Sequence, residues 1–168
     1  MKIAVVLDNI RSTYNVGAIL RSCEGFGVSK VVLSGVTPRV HDNSLLPHLR
    51  EKLDKQIRKT ALGAEDMLEI YAFDDIFSTI SDFKNKGWKI VGLENNIQDE
   101  RLISLKDERL RDKLGDKIVL ILGEEVHGID QKLYNLIDVF VEIPMHGKKE
   151  SFNVSVAAGV ALYGILEG

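Results

Sequence analysis

The sequence predicts an α/β fold in which helices cover both faces of a sheet. Three observations carry that prediction. Short runs rich in valine and isoleucine alternate with stretches of helical periodicity. Several of those runs are apolar without a break, as strands buried on both faces are. The length, 168 residues, suits one domain with one core.

In chain order, strands are expected at Ile3–Leu7, Val28–Leu33, Ile70–Phe73, Lys89–Leu93, Ile118–Leu122 and Val139–Ile143. Helices are expected at about 15–26, 47–58, 75–86, 130–137 and 152–166. In the first helix Val16, Ile19, Leu20 and Cys23 share one face, and Arg21 points away from it. Segment 36–60 is the longest stretch without a strand and is expected to be a mobile, functional element. Segment 96–116 is charged and reads as a surface connection with a short helix. The last helix is apolar nearly all round, with small residues clustered from Ser155 to Ala161. Such a helix is buried on more than one side, against either the core or a second subunit.

Composition narrows the classes. With 45% hydrophobic and 28% charged residues and 3 prolines, the chain is neither disordered nor repetitive. A single cysteine, Cys23, excludes an internal disulfide framework and suits a reducing cytoplasm. No run reaches the ~20 apolar residues of a membrane span, and the N-terminal run is too short for a signal peptide. The net charge of −3 does not favour nucleic acid as a partner. Local charge differs: within 36–60, six arginines and lysines face three acidic residues, with His41 and His48 nearby.

In open α/β sheets, ligands bind beyond the carboxyl ends of the strands. Three such ends are polar or glycine-rich: 8–21, 123–130 and 144–153. Asn15 opens a helix as a cap residue would. Gly123 and Gly128 permit a tight turn and close backbone approach to a ligand. Ser151 and Asn153 precede the final helix, whose free N–H groups attract electron-rich groups. Other readings fail. Gly123 to Gly128 has phosphate-loop spacing, but Ile129-Asp130 replaces the lysine and hydroxyl residue that would hold phosphate and magnesium. No Gly-x-Gly-x-x-Gly follows the first strand. The four histidines lack zinc-ligand spacing, so no metal is expected.

These three segments resemble the motifs of the SpoU/TrmH family of RNA ribose 2′-O-methyltransferases, within the SPOUT superfamily. The first is Asn15-x-Gly17-Ala18-Ile19-x-Arg21. The second is Leu122-Gly123-x-Glu125-x-x-Gly128. The third is Ile143-Pro144-Met145-x-Gly147, followed by Ser151-Phe152-Asn153-Val154-Ser155-Val156-Ala157-Ala158. They span nearly the whole chain in the family's order. Phe152 departs from the usual leucine, and Tyr14 stands where small residues or proline are common.

The resemblance implies a single SPOUT methyltransferase domain over 1–168 with a C-terminal trefoil knot; in a departure from many members, no separate RNA-binding domain is expected. It implies S-adenosylmethionine as co-substrate, lined by Leu93, Gly123, Ile143, Met145 and Phe152. It implies a homodimer with catalytic groups near the interface, RNA as partner, and Arg21 acting on the ribose 2′-hydroxyl. A guanidinium with a pKa above about 12 is a poor base at neutral pH. Arg21 is therefore expected to bind a phosphate and stabilise the developing alkoxide. Glu125 would position Arg21 or nearby backbone, while Asn15, Ser151 and Asn153 order the pocket. Segment 36–60 and Lys148-Lys149 are the expected basic contacts to RNA. Transfer RNA is mildly preferred over ribosomal RNA, because a small dimer can grip one stem-loop. The alternatives are a non-catalytic cofactor- or RNA-binding module of the same fold, and a SPOUT enzyme that methylates a base.

Overall fold

The computed structural model describes residues 1–167. Seven segments extend into strands: β1 (Lys2–Asp8), β2 (Lys30–Ser34), β3 (Ile70–Phe73), β4 (Lys89–Leu93), β5 (Leu102–Ser104), β6 (Lys117–Leu122) and β7 (Val139–Glu142). All pair in parallel, in the order β3-β2-β1-β6-β4-β7-β5. Five α-helices accompany them: α1 (Thr13–Gly25), α2 (Pro47–Ala61), α3 (Ile76–Asn85), α4 (Leu110–Leu114) and α5 (Val154–Glu167).

Alternation along each strand divides the core in two. Ile3, Val5 and Leu7 of β1 join Ile118, Leu120 and Leu122 of β6 beneath α1, α2, α4 and α5. Ala4, Val6, Val119 and Ile121 face the other way, toward α3 and a 3-10 turn at Gln131–Leu136. Helices thus cover both faces, which is why the strand sequences read as unbroken apolar runs. The predicted face of α1 is fully buried at Val16, Ile19, Leu20 and Cys23, and burial pushes the Cys23 thiol up to about 12. Gly17 lies where α1 meets α2. A Cβ there would come within 2.2 Å of the Ile57 carbonyl oxygen, so the helices approach this closely only over glycine.

Several boundaries differ from expectation for local reasons. Helix α1 starts at Thr13 because Ser12 is its cap, its hydroxyl accepting the Asn15 N–H at 3.3 Å. Asn15 is therefore inside the first turn and not the cap. Helix α5 starts at Val154, after Asn153, whose side chain accepts the Ser155 N–H at 3.0 Å. The expected helix at 130–137 is the 3-10 turn, capped by Asp130. Strand β5 lies unforeseen within the charged segment 96–116, and α4 supplies the short helix expected there.

The order of strands has one consequence for the C-terminal half. β4 and β5 are laid down first, with one strand's width between them, and the chain then crosses back to place β6 against β4. β7 arrives last and fills the gap, pairing with β4 on one side and β5 on the other. Arg101 braces this arrangement from just before β5. Its guanidinium donates to both Asp99 carboxylate oxygens and to the carbonyls of Tyr134 and Ile137, at 2.8 and 2.7 Å. It also lies over the buried Phe140 ring, 5.0 Å from its centre. The same bonds hold the Asp99 carboxyl down at about 2.

Arg101→Ala strands two carbonyls and uncovers the ring. Such a loss costs about 2 kcal/mol, or roughly 4–8 °C in melting temperature for a chain of this size. Thermal unfolding at neutral pH, compared with the wild type, measures it.

Candidate active site

The carboxyl ends of β4, β6 and β7 open onto a cavity of about 590 Å³, in the range of small-molecule sites. Three chain segments wall it: the loop after β4, the turn after β6, and the stretch leading into α5. The turn closes on itself, as Glu124 and Gly128 exchange backbone hydrogen bonds of 3.0 and 2.9 Å. A Cβ on Gly123 would lie 2.2 Å from the Gly128 carbonyl carbon. The missing side chain at Gly123 thus makes room for the turn's own backbone, which is the tight-turn part of the sequence expectation. A carboxylate oxygen of Glu94, just past β4, accepts the Ile129 N–H and ties the turn to the sheet. Burial raises the Glu94 carboxyl above its ordinary value, against the N–H groups of Ile129 and Asn95.

The loop after β4 also holds the C-terminal segment. The Asn95 amide pairs with the backbone of Ile143 in both directions, accepting its N–H at 3.1 Å and donating to its carbonyl at 2.8 Å. Asn95 and Asn96 both donate to the Glu150 carbonyl, at 3.4 and 3.2 Å. Two consecutive side chains so fix both ends of the stretch 143–150, and with it the entry to α5.

At the cavity mouth the three motif segments meet. Asn15 donates to Glu125 at 3.1 Å and accepts from Asn153 at 3.2 Å. Glu125 also accepts the backbone N–H groups of Arg11 and Ser12, both at 3.3 Å. Partial burial would raise the Glu125 carboxyl, but the Asn15 amide and the N–H groups of Glu125, Arg11 and Ser12 outweigh it and hold it below its ordinary value. The expectation that Glu125 positions Arg21 or nearby backbone resolves to backbone, that of Arg11 and Ser12.

Leu93, Gly123, Glu125, Ile143, Ser151, Phe152 and Asn153 line the cavity. Asn15 stands behind Glu125 and Asn153. Met145 is not among the lining residues. The strand ends at Glu142, so period-two alternation no longer sets which way Met145 faces. Arg21 is exposed on α1, outside the cavity lining, and among the described residues it has no ion-pair partner. Sequence reasoning missed Glu94, Asn95 and Asn96. The signal was present, since these are polar residues directly beyond a strand, as in the three ends that were chosen.

Half of the six basic residues of 36–60 are ion-paired within the protein, while Arg50, Lys52 and Lys59 have no acidic partner among the described residues. Arg39 pairs with Asp74, Lys55 with Glu51, and Arg58 with Glu65 and Asp66. The loop before α2 is pinned as well. The His41 N–H donates to Asp54 at 2.9 Å, and the His41 ring lies 3.1 Å from Asp66. Lys148 and Lys149 are exposed, in the stretch of chain that leads to Glu150 of the cavity lining. Among the described residues, no three His, Cys, Asp or Glu side chains gather as a metal site, and no helix is long and apolar enough to cross a membrane.

The chain is similar to several known proteins. A 159-residue match to the 23S rRNA (guanosine-2′-O-)-methyltransferase RlmB of Xylella fastidiosa is 34% identical and covers 95% of this chain but 56% of that one. The chain thus spans about half the length of the curated relatives it matches. Among solved structures, the AdoMet-bound rRNA methyltransferase of Sinorhizobium meliloti superposes with a TM-score of 0.75 at 20% identity, covering 99% of this chain and 56% of that one. The TrmH/SpoU tRNA modifying enzyme of A. aeolicus gives 0.75 at 23% identity, covering 99% and 74%. The model of the SpoU rRNA Methylase family matches residues 2–163, and this chain belongs to that family.

Proposed function

We propose that the protein transfers a methyl group from S-adenosylmethionine to a ribose 2′-hydroxyl of RNA. The observation that carries this reading is the Asn15–Glu125–Asn153 network, which joins all three motif segments at the mouth of the cavity. The cavity fits the cofactor: Leu93, Leu122, Ile143, Phe152 and Ala157 offer apolar walls to an adenosyl group, and the carboxylates suit a cation. When bound, S-adenosylmethionine supplies a methyl group on a sulfonium that is its own leaving group. The chain's task is then alignment and charge stabilisation, without a covalent intermediate.

Ribosomal RNA is the better-supported substrate class, because the curated relatives act on 23S rRNA. The mild preference for transfer RNA drawn from size alone finds no support in them. The intact network favours a working enzyme over a non-catalytic module. No observation favours base methylation. A cytoplasmic setting and a single domain belong to this reading. So does a trefoil knot, supported by the late insertion of β7 between β4 and β5 and by the loop 94–101 that spans it.

The reading includes a homodimer built on α5. Ala158, Ala161, Leu162 and Ile165 form one buried face of that helix, at the i, i+3, i+4, i+7 spacing. Val156, Val160 and Tyr163 form a second face that remains 49%, 39% and 62% exposed. An apolar face of this kind on a monomer is suited to a self-complementary interface. Arg21 is adjacent in sequence to Ser22, whose hydroxyl faces Gly159 of α5. In this reading Arg21 lies beside the interface and serves the cavity of the other subunit. There its guanidinium binds a backbone phosphate and stabilises the charge that develops on the ribose oxygen.

Four outcomes are expected. Purified protein with methyl-labelled S-adenosylmethionine and undermodified RNA should give label in a 2′-O-methylnucleoside of the ribosomal fraction. Arg21→Ala should lower that rate by about 10²–10³-fold without changing the melting temperature, and near-normal turnover would remove Arg21 from the mechanism. Tyr163→Glu should turn the dimer into monomer in sedimentation and abolish methylation with it. Finally, the lowered Glu125 carboxyl contributes stability that is present above its unfolded value of 4.5 and lost as pH falls through its folded value. Glu125→Gln should therefore flatten the acid limb of melting temperature as pH falls below 4.5.

A further inference from the structure

The cavity has an unusual charge lining for a site that works on a polyanion. Glu94, Glu124, Glu125 and Glu150 line it, together with His127 and no lysine or arginine. These carboxylates are not equivalent. Glu124 is paired with Arg11 and His127, each at 3.1 Å. Glu125 is fastened by Asn15 and backbone N–H groups, and Glu150 is exposed. Glu94 alone is both half-buried and without a cationic partner among the described residues. One of its oxygens is held by the Ile129 N–H, which fixes the carboxylate at the end of β4 on the cavity wall.

We infer that Glu94 is a specificity-determining residue that makes this cavity favour the cationic sulfonium cofactor over its neutral thioether product. The inference rests on the proposed S-adenosylmethionine reading. In the transfer the S–CH₃ bond breaks and the O–CH₃ bond forms. Sulfur keeps the electron pair and loses its charge, and the hydroxyl proton leaves to solvent. The two ligands otherwise carry the same ammonium, carboxylate and ribose groups, so a fixed carboxylate distinguishes them only through the sulfur. A half-buried carboxylate without a cationic partner is desolvated at a cost that a nearby cation relieves. Its raised carboxyl value agrees with that cost. Once the methyl group has gone, the relief is gone too, and the product is released more readily than the substrate. The same negative lining turns RNA phosphate away from the cavity and toward Arg21 and Lys148-Lys149.

Calorimetry tests this without turnover. Wild-type protein is titrated with S-adenosylmethionine, with S-adenosylhomocysteine, and with sinefungin, which carries an amine in place of the S-methyl group. The two cationic ligands should bind more tightly than the thioether. Glu94→Gln keeps an oxygen for the Ile129 N–H and removes the charge. It should narrow the sulfonium-to-thioether affinity ratio by about tenfold, as expected for one unit charge at a few ångströms in a partly wet site. Glu150→Gln, at the exposed rim, should narrow it far less. Equal weakening of both ligands in Glu94→Gln would mean that Glu94 meets a group they share, and the inference fails. Wild-type protein that binds the thioether as tightly as the sulfonium overturns it without any variant. Wild-type protein that binds none of the three overturns the cofactor reading itself.

Discussion

The structure depends on filling one gap, the strand-wide space between β4 and β5 that β7 occupies. Until it is filled, the facing edges of β4 and β5 carry unpaired backbone groups, which are costly inside a core. Once it is filled, the sheet runs unbroken across seven strands, and the chain beyond β7 emerges at the carboxyl end where the cavity forms. Side chains from both neighbours secure the insertion. Asp138, at the start of β7, accepts the Ile90 N–H at 2.8 Å and pairs with Lys84 at 2.9 Å. Arg101 clamps the turn before β7, and Asn95 holds Ile143 at its far end.

The cavity is therefore a by-product of that bracing as much as a separate construction. Asn95 and Glu94 follow β4 directly; one fixes the segment after β7 and the other fixes the turn after β6. Their positions set the distance between the cavity's two walls. The polar network at its mouth then ties those walls to α1 through Glu125 and Asn15. Each motif segment is anchored by a residue from another, so none of the three holds its shape alone.

Much of this was legible in the sequence. Six strands and the buried face of α1 follow from hydrophobic periodicity, because burial on two faces leaves little freedom in residue choice. The polar residues at strand ends pointed to the site for a related reason, since a buried sheet ends where polar side chains begin. Three features were not legible. β5 is three residues long, too short for any period to show. The fate of the basic residues in 36–60 depended on acidic partners as far away as Asp74, which charge counting along the chain does not pair. Met145 was placed by motif, and beyond the end of a strand a motif does not specify which way a side chain faces. Gly17 and Gly123 were recognised as motif positions, but their reason is the proximity of other backbone, which only the fold reveals.

The late arrival of β7 also bears on how the cell makes this protein. A ribosome releases the chain from its N-terminus, so β1 to β6 and four helices exist before the residues that fill the gap leave the exit tunnel. Throughout that interval the β7 edge of β4 is open and β5, whose one sheet partner is β7, has no strand to pair with, so both are templates for pairing with any other nascent strand. The long sequence separation between β4 and β7 makes closure slow as well.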